Sequence, residues 1–465
     1  MSRYLYGASV QGIQEFIFKT NKLQEIVGAS EIVKSIAADF EKRVEGKAVE
    51  VLVNAAGNIK AVFENKAECE AIVRTFAKEI QTKAYGISIS QAVVTASDDE
   101  QKDINALEQK LKVQRNKVSI PLDATINIMA LNPKTAKPLV NKEEDRATAQ
   151  KREANKAFFE NHPNLTEFRE LSEMSNGKNK IAVIHADGNG LGELIPTLAK
   201  KGKKLSEFSK QLNLATKTAF EKSKDDSMSV RDVILGGDDM MVICNANDAL
   251  TFTKNFLAHF EEQSETLIGE KLTACAGIAF SNEKYPFHYA VSLAEALCSQ
   301  TKKHAKKLRE DEGLKYVPSS LMFHNIKSAN YQSWEKFVED ELTIVNDTQT
   351  IRCDFGPYYL EKEGQPNITD FMNTVGAYRC GGSPISRLRV WLGELYNSSD
   401  YASNLLHRIN EISKQNGEWN TCIMDKNLKN FSKELSNETL IVQKDGEQKT
   451  PIYDILQIMS VTEAK

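Results

Sequence analysis

The feature that most constrains this chain is an order of strands and helices that occurs twice along it. Short apolar runs beside glycine-containing turns favour strands, and apolar residues that recur at helical spacing favour helices. In residues 180–310 these patterns predict a strand, a helix, a hairpin of two strands, a second helix, a further strand and a final helix. The order β-α-β-β-α-β is that of a ferredoxin-like unit. The sequence therefore predicts a small α+β domain in this segment.

Two short motifs lie at strand ends of this unit. The first strand runs into Asp187-Gly188-Asn189-Gly190, and the hairpin strands flank the turn Gly236-Gly237-Asp238-Asp239. A first strand of this fold lies beside the hairpin, so the two motifs are expected to meet. The predicted elements are a strand at 181–186, a helix broken near Pro196 that resumes to about Lys222, strands at 230–235 and 240–244, a helix at about 247–266, a strand at 272–280 and a helix at 287–307.

The amino-terminal segment repeats the same order. It predicts a strand at 4–10, helix within 13–43, hairpin strands at 49–54 and 59–63, a helix at 66–84 and a strand at 87–95. Superposing the two copies puts Ser9 on Asp187, and it puts Gly57 and Asn58 on Asp238 and Asp239. Every acidic position of the second copy is neutral in the first. The second copy is therefore expected to be catalytic and the first to be its inert partner.

The remaining segments complete a predicted division into four parts. A chain of 465 residues is expected to form about two to four domains. Residues 1–96 are the first, degenerate unit, and 97–179, which carry charge runs, are a helical connector with a small insert. Residues 180–310 are the second unit, and 311–465 are predicted to form a helical carboxy-terminal domain.

Composition favours a soluble, cytoplasmic protein without a membrane partner. Charged residues make up 27% of the chain, and no apolar run approaches the roughly 20 residues that cross a bilayer. The amino terminus becomes polar too soon for a signal peptide. The seven cysteines are scattered without zinc-ligand spacing, which indicates buried, reduced thiols. The net charge of −4 gives no sign of a basic stripe for nucleic acid.

The two motifs carry residues suited to phosphoryl chemistry. Magnesium binds hard oxygen ligands, commonly one or two carboxylates together with substrate phosphates. Asp187 and Asp238 are expected to converge on such ions, and two ions about 4 Å apart activate a hydroxyl and stabilise the leaving group. We therefore predict a Mg²⁺ (or Mn²⁺) site here. A Gly-Gly-Asp-Asp sequence alone is equally consistent with an ordinary tight turn.

Further residues are candidates for holding a nucleotide. Gly236 and Gly237 let a triphosphate approach the backbone, and the loop from Gly188 precedes a helix start whose free N–H groups attract phosphate. Lys302 and Lys306 share one helix face, where they either neutralise phosphate charge or remain solvated. At the matching strand end of the first copy, three residues either line a second nucleotide pocket or are the remains of a decayed one: Ser9, Gln11 and Gly12.

With these motifs, the chain resembles the large, polymerase-like subunit of type III CRISPR effector complexes. The resemblance rests on the opening block from Gly7 to Glu31, on the two acidic motifs, and on the lysine-bearing helix around Lys302 and Lys306. It covers roughly residues 1–310. It implies the α+β fold of that family: two ferredoxin-like palm domains of the nucleotide-cyclase type, with a helical connector and a helical carboxy-terminal domain.

The resemblance also implies an activity and a site. The family joins ATP by 3′–5′ linkage into a cyclic oligoadenylate or cyclic dinucleotide, an antiviral second messenger. By analogy Asp187, Asp238 and Asp239 would hold Mg²⁺, with Asp238 and Asp239 catalytic. The triphosphate would contact Gly188, Asn189, Gly190 and Lys302. Implied partners are ATP, guide or target RNA and other effector-complex subunits, or a second copy of the chain.

Two departures from the family separate the chain from its larger members. Those members often begin with a histidine–aspartate nuclease domain, whereas here the first palm strand begins at residue 4. The family also has a zinc-binding insert. It would fall at about residues 131–138 of this chain, which contain no cysteine. The sequence therefore predicts a reduced form without nuclease activity on single-stranded DNA, which is either a subunit of an effector complex or a stand-alone signalling cyclase.

Two other functions compete with the ATP-using cyclase. One is a scaffold subunit that binds RNA and sister proteins. Crowding the acids of Asp187, Asp238 and Asp239 at one turn costs stability through charge repulsion, so the acids favour an enzyme over a scaffold. The other is a diguanylate cyclase that uses GTP. Asp239, where those enzymes carry Glu, and the duplicated palm in one chain argue mildly against it.

Overall fold

The computed structural model confirms the predicted fold class, an α+β chain with two palm-like units. It describes residues 3–55, 57–97, 99–117, 126, 128–163, 165, 168–200, 204–327, 333–346, 349–379, 382–416 and 421–463. Two of its three sheets have the strand order of a ferredoxin-like unit. The described part of the chain contains no helix with the length and apolar character that crossing a bilayer requires.

The first unit has one antiparallel sheet of order β2-β3-β1-β4. Tyr6, Phe40, Phe63 and Phe76 form an aromatic centre between its sheet and helices. The elements are β1 (Arg3–Gln11), α1 (Ile13–Phe18), α2 (Leu23–Val44), β2 (Ala48–Ala55), β3 (Asn58–Phe63), α3 (Lys66–Lys83) and β4 (Ser88–Ala96).

The second unit repeats this topology. Its elements are β5 (Lys180–Gly188), α6 (Leu191–Lys200), α7 (Leu205–Ser223), β6 (Val230–Gly236), β7 (Asp239–Asn245), α8 (Ala249–Ile268), β8 (Ala274–Asn282) and α9 (Phe287–Glu312). The four strands pair in the order β8-β5-β7-β6. The helical segment is divided in two as predicted, but the prediction that the break lies near Pro196 is wrong, because α6 continues through that residue to Lys200. Proline removes one helical hydrogen bond but can be accommodated without ending the helix.

The connector supplies two helices that pack on the first unit. Helix α4 (Glu100–Arg115) covers the outer face of its sheet, where Leu107 and Leu111 are buried against Leu5 and Val94. Helix α5 (Arg146–Asn161) packs against α2 at Gly28, where an added Cβ would lie 1.7 Å from the Lys151 carbonyl oxygen. A short 3₁₀ helix (Leu171–Glu173) precedes β5.

The carboxy-terminal segment contains strands that the sequence did not predict. Strands β9 (Ser320–Asn325) and β12 (Tyr358–Tyr359) extend the second sheet to six strands, with β9 parallel to β8. The other elements are α10 (Trp334–Glu341), β10 (Thr343–Val345), β11 (Thr350–Arg352), α11 (Ile368–Tyr378), α12 (Ile385–Glu394), α13 (Ser399–Asn416), α14 (Thr421–Phe431), β13 (Val442–Lys444), β14 (Glu447–Lys449) and α15 (Ile452–Val461). A small sheet has the order β10-β11-β14-β13.

Polar contacts fix how the two units pack against each other. Ser30 on α2 donates a hydrogen bond to the Val233 carbonyl oxygen at 2.5 Å. The neighbouring turn of α2 places Lys34 Nζ 2.7 Å from an oxygen of Asp232. Both partners lie on β6. Helix α2 of the first unit therefore lies along the hairpin strand that leads into the acidic turn.

Candidate active site

The acidic residues of the two motifs lie together at one end of the second sheet. Asp187, near the end of β5, is paired directly across from Asp239, the first residue of β7. Directly opposed residues of antiparallel strands place their side chains on the same face. The Gly188 N–H also donates to the Asp238 carbonyl oxygen at 3.2 Å. The strand pairing thus brings the three acids to one place.

Glycines allow this close approach of the two motifs. A Cβ added to Gly188 would lie 2.7 Å from the Asp238 Cβ, so any larger residue there would displace the acid. Gly237 has a φ of 64°, a left-handed conformation that glycine adopts without a steric penalty. The Thr216 hydroxyl on α7 donates to the Gly237 carbonyl oxygen at 2.5 Å. Helix α7 therefore holds the turn in place.

The acids carry more negative charge than the surrounding protein neutralises. Burial, followed by repulsion from Asp187, raises the pKa of Asp238 to about 6. Burial, followed by repulsion from Asp187, Asp238 and Glu295, raises the pKa of Asp239 to about 7. The Asp239 Oδ1 atom is buried without a hydrogen-bond partner. A cation bound here would reduce the repulsion among the carboxylates. It would also give the unpaired Asp239 oxygen a partner.

His185 lies beside these acids but does not neutralise them. Its Nδ1 is 3.4 Å from Asp239 Oδ1, and neither atom has a partner with hydrogen-bond geometry. Burial lowers the pKa of His185 despite the attraction of Asp187. The ring is therefore neutral at physiological pH and leaves the charge of Asp239 uncompensated.

One lysine on helix α9 reaches the site. Lys302 Nζ donates to Asp187 Oδ2 and to the Gly188 carbonyl oxygen, both at 2.6 Å. Lys306, one turn further, is exposed and does not contact the acids. Beyond it, Arg309 pairs with Glu193 at 3.0 Å. Of the two predicted lysines, the structure thus brings only Lys302 into contact with the acids.

The donor set fits a magnesium ion that shares its coordination with phosphate. Among the described residues, no three His, Cys, Asp or Glu side chains are grouped so as to hold an ion by themselves. Mg²⁺ typically takes one or two carboxylates and fills its remaining positions with water and substrate phosphate. Asp187, Asp238 and the unpartnered oxygen of Asp239 provide such carboxylates. The site is therefore suited to an ion that arrives with a nucleotide.

In the loop after Asp187, the groups that a ligand can contact are mainly backbone atoms. Gly190 has a φ of 74° and its carbonyl oxygen accepts from the Glu193 and Leu194 N–H groups at the start of α6. The Asn189 side chain is buried and donates to Thr273 Oγ1 at 3.1 Å. The structure therefore directs Asn189 into the core, and the loop can contact phosphate only through its main chain.

A large cavity opens beside the acidic turn, between the two units. Its volume is about 820 Å³, which is within the range of small-molecule sites. Of the predicted residues, Gly12, Gly236 and Asp239 line it. Ser9 and Gln11 lie next to it on β1, and neither belongs to the wall that the structure describes. The cavity has room for a nucleotide that touches both units.

Next to this cavity, the strands of the first unit pair in the same register as those of the second unit. Ser9 is paired with Asn58 across β1 and β3, as Asp187 is paired with Asp239 across β5 and β7. The Val10 N–H donates to the Gly57 carbonyl oxygen at 2.7 Å, which corresponds to the bond from Gly188 to Asp238. The same backbone geometry thus occurs twice, once with acids and once with neutral residues.

Sequence patterns alone missed several polar residues around the cavity. Gln14 on α1 donates to Glu295 on α9 at 2.5 Å, which joins the two units beside Asp239. Lys217 on α7 and Lys34 on α2 also line the cavity. Each lies on an amphipathic helix with many other charged residues, so no sequence signal separates it from a solvated face. Only the packing of the two units identifies them.

If the site turns over ATP, as the family resemblance implies, replacing Lys302 by glutamine should raise the KM for ATP about tenfold or more, the scale of a lost charge-assisted contact. The reason is that its ammonium group is the cation nearest Asp187 and lies where phosphate charge would develop. Steady-state kinetics at varied ATP measures this. Lys303→Gln, an exposed neighbour on α9, is the matched control and should leave KM unchanged. An unaltered KM in the Lys302 variant would show that its role is structural.

Comparison with known proteins gives the family of this domain. Residues 180–310 match the family model described as Cas10/Cmr2, second palm domain. No curated protein sequence matches the chain. The match confirms, for this segment, the resemblance to the polymerase-like subunit of type III CRISPR complexes.

Solved structures share the overall fold at low sequence identity. A chain of a Csm1–Csm4 cassette crystallised with pppApA aligns with 99% of this chain and 70% of its own, at 14% identity and a TM-score of 0.55. Csm1 of T. onnurineus has the same coverage and identity and a TM-score of 0.53. A cassette with cA4 aligns over 73% of this chain and 57% of its own, at 16% identity and a TM-score of 0.46.

This chain therefore spans 57 to 70% of the chains it resembles. Similarity at such low identity establishes the fold, and the family match establishes the type of the second unit. Together they identify a chain that has the fold of Csm1 and contains a second palm domain of the Cas10/Cmr2 family.

Proposed function

We propose that this chain is a Mg²⁺-dependent nucleotidyltransferase that joins ATP into a cyclic oligoadenylate or cyclic dinucleotide, a second messenger of CRISPR-type antiviral defence. One observation carries the proposal. Asp187, Asp238 and Asp239 lie together beside a nucleotide-sized cavity that Asp239 lines, and burial with mutual repulsion raises the pKa values of Asp238 and Asp239. A structural turn has no need of such an arrangement, because the mutual repulsion of the acids costs stability.

The reaction is the attack of one nucleotide's 3′-hydroxyl oxygen on the α-phosphorus of another. The new P–O bond forms as the bond to pyrophosphate breaks, and the hydroxyl proton is lost to solvent or to a carboxylate. Bound Mg²⁺ would neutralise phosphate charge and lower the pKa of the hydroxyl. Asp187 and Asp238 would hold this ion, and Asp239, whose Oδ1 has no hydrogen-bond partner, would assist in ligation or orient the hydroxyl.

Other residues would orient the substrates. The backbone N–H groups at the start of α6, after Gly190, suit the triphosphate, and Gly236 and Gly237 leave room for it. Lys302 would exchange part of its contact with Asp187 for phosphate. Lys306 would act at longer range, through its charge alone. The second nucleotide would lie in the cavity against Gly12 and the first palm, with Ser9 and Gln11 behind it.

A solved structure of the same fold supports this assignment. A chain of the same fold was crystallised in a Csm1–Csm4 cassette with pppApA, a linear product of joined adenylates. The present chain shares 14% identity with it, so its own activity is a proposal that rests on the site. We also propose a Csm4-like subunit, with guide or target RNA, as its partners, a homodimer being the alternative.

A scaffold role would predict different behaviour from the same protein. A scaffold subunit binds RNA and sister subunits whether or not its acids are intact. Purified chain incubated with each of the four NTPs and Mg²⁺ or Mn²⁺, followed by mass spectrometry, distinguishes the two. We expect adenylate products and pyrophosphate from ATP. Products from GTP alone would show a diguanylate cyclase, and turnover of no NTP, with the Csm4-like partner and RNA present, would favour the scaffold.

The raised carboxyl pKa values predict a pH-dependent stability in the metal-free protein. Asp238 and Asp239 have pKa values of about 6 and about 7 in the folded chain, against 3.8 ordinarily. The folded state therefore holds their protons more tightly, so their contribution to stability is complete below pH 4 and is lost as the pH rises through about 7. In EDTA, Asp238→Asn with Asp239→Asn should raise the melting temperature by a few degrees at pH 8 and by little at pH 5.

Calorimetry at the two pH values measures this difference. Adding Mg²⁺ with a non-hydrolysable ATP analogue should stabilise the parent at pH 8 and should have little effect on the asparagine variant. An equal change in melting temperature at pH 5 and pH 8 would contradict the assigned electrostatics.

A further inference from the structure

A second cavity lies at the opposite end of the second palm sheet from the acids. Its wall includes Lys327 after β9 and residues of helices α12 and α15, and its volume is about 380 Å³. This volume is in the lower range of ligand sites and suits a single nucleotide. Lys180, which lies near this end, is seven residues from Asp187 along β5, or about 23 Å. The cavity is therefore separate from the candidate active site.

Two cations with exposed side chains line this cavity. Lys327 follows β9 and Arg389 lies on α12, and both line the wall. In the described ranges of the chain, neither forms an ion pair. Burial, followed by the charges of Arg389 and Lys180, lowers the pKa of Lys327. Holding like charges together is unfavourable unless an anion binds between them, so the cavity is prepared for negative charge.

Aromatic rings lie beside these cations. Lys327 Nζ is 4.9 Å from the centre of the Tyr453 ring, and Tyr453 stacks at 14° on the fully buried His324. Tyr396 is 48% exposed, and its hydroxyl donates to the Glu341 carbonyl oxygen at 3.0 Å. Fixed aromatic rings next to cations are the elements with which proteins hold a base and its phosphate.

We propose that this cavity binds a phosphorylated nucleoside, either free or as one unit of a single-stranded RNA. The base packs against the apolar wall at Leu392 and beside the Tyr396 ring, and the phosphate lies between Lys327 and Arg389. Lys178, whose Nζ donates to the Met459 and Thr462 carbonyl oxygens at 2.8 Å, adds positive potential nearby. The site needs no metal, because its charge is already positive.

Photocrosslinking of the full chain with 8-azido-AMP in EDTA tests this proposal, with labelled peptides located by mass spectrometry. We expect label on peptides that contain Tyr396 or Tyr453. Lys327→Gln with Arg389→Gln should reduce it at least tenfold. Gly393→Phe should do the same through shape alone, since a Cβ at Gly393 meets nothing within 4 Å and a larger side chain would fill the cavity.

The matched control is Arg387→Gln, an exposed arginine on the same helix that does not line the cavity. It should retain full labelling, and so should Asp238→Ala with Asp239→Ala, which separates this site from the proposed cyclase. Competition by AMP alone indicates a free nucleotide, whereas stronger competition by a ten-residue oligoadenylate RNA indicates a strand. Label confined to the cavity between the palms, or equal labelling of the parent and the Lys327 and Arg389 variants, would overturn the proposal.

Discussion

Replacing Asp238 and Asp239 together by alanine should lower pyrophosphate release from ATP on the order of a thousandfold or more, the scale expected when charge stabilisation of a transition state is lost. The reason is that these two acids are the proposed metal ligands at the turn, and the remaining acid, Asp187, is already engaged by Lys302. A coupled assay for pyrophosphate with Mg²⁺ and ATP measures the loss.

The fold should survive this change. Both carboxylates are unfavourably placed in the metal-free chain, so their removal relieves repulsion and leaves the melting temperature equal or higher. The pair Asp225 and Asp226, exposed in the loop before β6, is the matched control, and its double alanine variant should keep normal turnover. Undiminished turnover in the Asp238 and Asp239 variant would remove the acids from the mechanism.

Gly277→Ala should destabilise the chain more than any surface substitution in the same domain. A Cβ at Gly277 on β8 would lie 2.1 Å from the Ala294 carbonyl oxygen and 2.5 Å from the Cys298 nitrogen, both on α9. Backbone atoms cannot rotate away, so the helix must move from the sheet. Forcing additional volume into a packed core typically costs about 1–3 kcal/mol and sometimes more.

This displacement should also lower activity, because α9 carries Lys302 to the acids. We expect a melting temperature lower by several degrees, and a higher KM for ATP even at temperatures where the variant is folded. Gly376→Ala on α11, where an added Cβ meets nothing within 4 Å, is the control and should be neutral or slightly stabilising. A Gly277 variant as stable as this control would show that β8 and α9 are not packed as closely as described.

The sequence was sufficient to predict both palm units because each is built from local patterns. Apolar strands, the Gly-Gly-Asp-Asp hairpin and amphipathic helices can each be recognised within one short window. The β-α-β-β-α-β order then specifies which strand ends meet. The observed pairing of Asp187 with Asp239 therefore agrees with the expectation from sequence that the two motifs meet.

The parts that were missed depend on packing between distant segments. Strands β10 to β14 have two or three residues each, which is too short for an alternating pattern to appear. The sequence could not show that Asn189 turns into the core, because Thr273, its partner, is 84 residues away. Glu295 and Lys217 become site residues only once the two palms are placed face to face.

The position of a bound divalent ion and its nucleotide tests whether Asp187, Asp238 and Asp239 form the proposed metal site. Crystals of the full chain soaked with Mn²⁺ and a non-hydrolysable ATP analogue would show the ion by its anomalous scattering. We expect an anomalous peak within coordination distance of carboxylate oxygens of Asp187 and Asp238, with the triphosphate bound to it and Lys302 beside the phosphate. A triphosphate bound without an ion at these carboxylates, or an ion held elsewhere in the chain, would contradict it.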